Sequence, residues 1–195
     1  MKFLNHYKMA SLIWENMASN DMQLRKRLYF LGNLAPDLIG SFLFRQHSYI
    51  TCGARLRKLL RRLFDGNVAS SSILFSFSTG VMSHYVCDFL CYAHTAAFKG
   101  SVREHYKYEK HQSVNAEDML PFDRQRSMNY SYSELKFDIE RCIDKHERIL
   151  SQSAGMSAFD IPFAVYVATW AVSAVYLHAE YINETETMPS ALLSA

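Results

Sequence analysis

The 195-residue chain is poor in the residues that make turns, with 7 Gly and 4 Pro. A sandwich or barrel spends such residues at every reversal, so their scarcity disfavours an all-β fold. The four cysteines, Cys52, Cys87, Cys91 and Cys142, form no CxxC pair and no dense framework. A closed cysteine-zinc knuckle and a disulfide scaffold are both disfavoured, and a reducing compartment is expected. Neither sign of charge dominates, because 21 basic and 19 acidic residues leave a net +2. A balance that mild does not mark a nucleic-acid binder. There is also no Pro/Ser-rich linker, internal repeat or low-complexity tract to divide the chain, so one domain over 1–195 is expected.

The N-terminal "MKFLNHYKMASLIWENMASND" lacks the unbroken apolar core and small-residue cleavage site of a secretory signal. A cytoplasmic protein, in contact with membrane only at its periphery, is the expectation. The most apolar run, Ile161 to Leu177, is short of the ~20 residues that span a bilayer and carries Thr169, Ser173 and several aromatics. It reads as a core helix that starts at Asp160 with Pro162 in its first turn.

What the chain has is helical periodicity from end to end. Helices are expected near 7–18, 21–31, 50–64, 69–92, 101–112, 133–151 and 158–182, in a compact all-α bundle. Between the second and third, Gly32, Pro36 and Gly40 are expected to break the helix and leave Asp37 in an irregular segment. Residues 114–134 have weak periodicity and read as a lid or a long connection. In "RLRKLLRRLF", Leu56, Leu59, Leu60, Leu63 and Phe64 share one face and five cations the other. That is an ordinary amphipathic bundle helix, or a face for anionic lipid or a phosphate backbone.

The unusual chemistry lies in "MSHYVCDFLCYAH", where His84, Asp88 and His94 interrupt an apolar run. Residues four apart share a helix face, so His84 and Asp88 can address one ion, and His105 and Glu109 in "REHYKYEKH" repeat the spacing. His94 would lie roughly 15 Å beyond His84 on an unbroken helix, which argues for two metal positions rather than one. Histidine and carboxylate with room for water is the donor set of catalytic zinc. His111 and His146 sit in polar or charged surroundings and His178 near the end of the apolar helix, so solvent or a local hydrogen bond is expected to satisfy each.

The ordered series His6, "APD" ending in Asp37, "RQHSY" with His47, "HYVCDFLCYAH" and "HYKYE" resembles the zinc-dependent phospholipase C family, whose fold is of the phospholipase C / P1 nuclease type. The resemblance spans roughly the first 110 residues; the last 80 or so carry no motif. It implies one zinc on Asp37, His47, His84 and Asp88, and a second on His94, His105 and Glu109. A third would sit on His6, bridging Asp88 and the backbone of Met1, where the family usually presents a processed tryptophan. It implies hydrolysis of a phosphodiester by metal-activated water with no Ser or Cys nucleophile, Asp37 doubling as ligand and proton acceptor. A phospholipid is the implied substrate, with peripheral contact to anionic membrane and no obligate protein partner. Single-stranded nucleic acid or another phosphoester is the first alternative, less favoured because nucleases of this fold are larger, disulfide-bearing and secreted. A non-catalytic protein that binds zinc for stability is the second.

Overall fold

Serines write several of the helix starts. The computed structural model describes residues 3–17, 22–39, 47–65, 69–112, 114–122, 130–152 and 159–187. Among these are seven α-helices and no strand: α1 (Phe3–Met17), α2 (Lys26–Leu38), α3 (Tyr49–Phe64), α4 (Ile73–Phe89), α5 (Val102–His111), α6 (Tyr132–Gln152) and α7 (Asp160–Thr187). At α3, the Ser48 hydroxyl accepts from Thr51 N–H and the Thr51 hydroxyl oxygen accepts from Ser48 N–H, a reciprocal box that satisfies two orphan donors. Ser101 and Glu104 build the same box at α5. Ser72 caps α4 by accepting from Phe75 N–H at 3.0 Å.

The bundle is built around α4, which is buried on nearly every side along its second half. It packs most extensively against α2 and next against α7, with α1 and α3 completing the surround. The α2–α4 crossing is close because two glycines permit it. A Cβ on Gly32 would stand 2.0 Å from the Phe77 carbonyl oxygen, and one on Gly80 would stand 2.0 Å from that of Tyr29. Both contacts are with backbone, so neither neighbour can swing aside. Tyr29 and Asn33 of α2 then bond the Ser83 hydroxyl of α4 at 3.1 and 2.7 Å, fixing the register of the crossing.

This crossing corrects the expectation of a broken segment around Asp37. Helix α2 starts later than expected, at Lys26, and runs through both Gly32 and Pro36, so Asp37 sits in its last turn. Gly32 serves close approach rather than a turn, and Pro36 sits inside the helix, where its missing N–H gives up one backbone hydrogen bond without ending it. Gly40 lies outside the described residues, as do 123–129 of the 114–134 connection; among that connection's described residues a 3-10 turn, Ala116–Asp118, is present.

Helix α7 is long and apolar enough to cross a membrane by composition, with mean hydropathy 1.4 over an 18-residue window within Asp160–Thr185, but 78% of that window is buried inside the fold. It fills the core against α1, α3, α4 and α6, as the core-helix reading expects. On α3, Leu56, Leu60 and Leu63 are buried and Leu59 and Phe64 pack on the core; Lys58, Arg61 and Arg62 point outward, whereas Arg57 bonds the Tyr49 hydroxyl and Arg55 turns a buried guanidinium nitrogen inward. All four cysteines are free thiols.

Candidate metal centre

Six segments bring the donors together. His6 comes from α1, Asp37 from the end of α2, and His47 from the residue before the Ser48 cap. His84 and Asp88 stand one turn apart on α4, and His105 and Glu109 one turn apart on α5. His94 closes a 3-10 turn, Tyr92–His94. The chain would have carried His94 away on a continuous helix, but α4 stops at Phe89 instead of running to residue 92. The reversal returns the His94 Nε2 to 3.6 Å from Asp88 Oδ1, so the expected 15 Å separation does not arise.

Asp88, fully buried, is the junction of the cluster. Its Oδ2 lies 3.1 Å from both His47 Nδ1 and His84 Nε2, while its Oδ1 lies 3.1 Å from His6 Nε2 and faces His94. Asp37 is set back. Its Oδ1 is 3.8 Å from His47 Nδ1 and from His84 Nε2, and its Oδ2 is 3.8 Å from His6 Nε2. With its side chain 17% exposed, it is the carboxylate of the Asp37/Asp88 pair that opens to solvent. Glu109 Oε1 receives His105 Nε2 at 2.7 Å and His94 Nε2 at 3.1 Å.

Hydrogen bonds alone do not satisfy this arrangement. The His84 Nδ1–H donates to the Asn33 carbonyl at 2.8 Å, which in the neutral ring leaves a lone pair on Nε2. That lone pair points at His47 Nδ1, 3.1 Å away, and at the acceptor Oδ2 of Asp88. One proton on His47 cannot serve both neighbours. A cation can: two donors each about 2.0 Å from a tetrahedral zinc lie about 3.3 Å apart, close to the spacing found here. Three sets could hold a metal ion: His6, Asp37 and His84; His47, His84 and Asp88, which shares His84 with the first; and, separately, His94, His105 and Glu109. The donors, imidazole and carboxylate without thiolate, suit zinc in an open site.

Electrostatics points the same way. Burial, helped by neighbouring His84, depresses His6 to about 3, and burial depresses His94 to about 4, so both rings are neutral and available as ligands near pH 7. Burial pushes the Asp88 carboxyl up, but the imidazoles of His94, His6 and His84 outweigh it and hold Asp88 well below the usual carboxylate range. Glu109 is likewise held low against burial by its bonds to His105 and His94. Burial raises Asp37.

The expected donors from His6 to Glu109 thus converge, and Met1 lies outside the described residues. The other histidines stand apart. His111 Nδ1 donates to the Lys107 carbonyl, and His178 Nε2 donates to the Phe64 carbonyl, both local solutions as expected. His146 departs from the solvent or local hydrogen bond expected: it is buried with its Nε2 3.2 Å from Oδ1 of the distant Asp160. The signal was its place on the apolar stripe of α6, Leu135, Ile139, Ile143, His146 and Leu150, which the flanking charges obscured.

A family model described as zinc dependent phospholipase C matches residues 5–156 of the chain. No curated protein and no solved structure matches it.

Proposed function

Since the chain belongs to the zinc-dependent phospholipase C family, we propose that it hydrolyses a phospholipid on the glycerol side of its phosphate, yielding diacylglycerol and a phosphorylated headgroup. The observation that carries the reading is the divided carboxylate of Asp88, with one oxygen toward His47 and His84 and the other toward His6 and His94.

In this reading Asp37, His47, His84 and Asp88 would hold one zinc, His94, His105 and Glu109 a second, and His6 with Asp88 would offer donors to a third. When bound, zinc supplies a Lewis acid for phosphate oxygens and lowers the pKa of water toward neutrality. The protein does the rest. Asp37, partly open and raised by burial, takes the proton of the water that attacks phosphorus. Asn33 holds His84 in one tautomer through its carbonyl, and the Ser48 cap fixes the approach of His47. No side chain is asked to form a covalent bond with the substrate.

The test is product analysis with zinc-loaded protein and vesicles of phosphatidylcholine, phosphatidylethanolamine or phosphatidylglycerol. Diacylglycerol and the matching phosphorylated headgroup are expected. Release of fatty acid or phosphatidic acid instead, or no release from any vesicle, contradicts the proposal.

A further inference from the structure

Helix α7 lies beyond the region matched by the family model, which ends at residue 156, and it carries none of the donors above. Its first residue nevertheless reaches the second metal set. Asp160 is 1% exposed and receives partners from three elements. Its Oδ2 accepts from the Tyr92 backbone N–H at 2.8 Å and from the Tyr108 hydroxyl, and its Oδ1 faces His146 Nε2 at 3.2 Å.

These partners are placed to control geometry. Tyr92 opens the 3-10 turn whose last residue is His94. Tyr108 precedes Glu109 on α5, and the rings of Tyr92 and Tyr108 meet edge to face with centroids 5.5 Å apart. One buried carboxylate therefore ties the turn that delivers His94 to the helix that delivers His105 and Glu109. A second tie lies just downstream, where the Glu147 carboxylate of α6 accepts from Ala96 N–H at 2.7 Å. The Tyr108 hydroxyl and the Tyr92 N–H are the two donors that satisfy this buried carboxylate, and both fall on its Oδ2.

We infer that Asp160 is a positioning residue for the His94/His105/Glu109 metal position, acting through the Tyr92 N–H and the Tyr108 hydroxyl. The inference rests on reading that set as a metal position. It assigns the start of α7 a part in the site, although no donor lies there. Its action is indirect, through the segments that carry the three donors.

The experiment is a competition titration of Zn2+ against a chromophoric chelator on the full chain, with Co2+ absorption as a second readout. The parent, Asp160→Asn, Tyr108→Phe and a His105→Ala reference are compared. Asp160→Asn keeps the shape but removes the charge, and is expected to weaken one zinc about 10-fold or more while leaving the tighter binding unchanged. The Co2+ band lost or shifted should be the one that His105→Ala removes. Tyr108→Phe severs one tie and should show a smaller loss at the same position; it decides the matter if Asp160→Asn does not fold. Parent-like affinity and Co2+ spectra in the folded variants overturn the inference while leaving the metal site intact. Uniform weakening of every zinc would mean a purely structural role and also overturns it. A parent that takes up no zinc overturns the site and this inference with it.

Discussion

The Nδ1–H of His84 donates to the Asn33 carbonyl oxygen across 2.8 Å, linking the metal-facing imidazole of α4 to the backbone of α2. The bond exists because the two helices touch at Gly32 and Gly80. Replacing Gly80 with Ala should drive a methyl into the Tyr29 carbonyl, 2.0 Å away, and force the helices apart. We expect a loss of about 1–3 kcal/mol in urea denaturation and weaker zinc binding. Parent stability in Gly80→Ala would mean that the crossing is not tight.

Asp88→Asn leaves the side-chain shape but takes away the charge that faces four imidazoles. The purified variant should lose at least one zinc per chain relative to the parent. Unchanged metal content by mass spectrometry would remove Asp88 from its bridging role.

Asp37 stands 3.8 Å from its nearest imidazole nitrogens, whereas those of Asp88 are at 3.1 Å. Asp37→Asn is therefore expected to retain most of the metal yet lose hydrolysis of a chromogenic phosphodiester by about 100-fold or more, the scale of a lost general base. Full activity in this variant would exclude Asp37 as the proton acceptor.

Acid should weaken the metal-free fold. His6 and His94 are depressed to about 3 and about 4, so from pH 6.5 downward the unfolded chain binds protons that the folded chain does not. Their contribution is complete above pH 6.5 and falls away as pH approaches the depressed values. The low-held carboxyls of Asp88 and Glu109 have the same sign, with their losses beginning nearer pH 4. Asp37 and His47, both raised, oppose this trend. Urea titrations of chelator-treated protein should show stability dropping between pH 7 and pH 4.5. A flat or rising profile would contradict the buried neutral state of these rings.

The site was legible where it obeyed helical arithmetic. His84 with Asp88 and His105 with Glu109 announce shared faces by spacing alone. His94 did not, because nothing in "CDFLCYAH" states that the helix ends at Phe89, and that ending depends on contacts such as Asp160 to Tyr92 N–H, made by residues 68 positions apart. Asp37 was misplaced for a related reason. Gly32 and Pro36 look like breakers locally, yet the glycine is required by the α4 backbone and the helix continues through the proline to Leu38. His146 was hidden by the charges of "DKHERI", although its burial follows from the stripe it completes.

The most direct test of the account is the zinc content of protein purified without chelator or histidine tag, measured by inductively coupled plasma mass spectrometry. Two or three zinc ions per chain are expected, one on the separate His94, His105 and Glu109 set and one or two on the sets that share His84. A value near zero that persists after zinc is restored would contradict the metal centre, and with it the proposed hydrolysis.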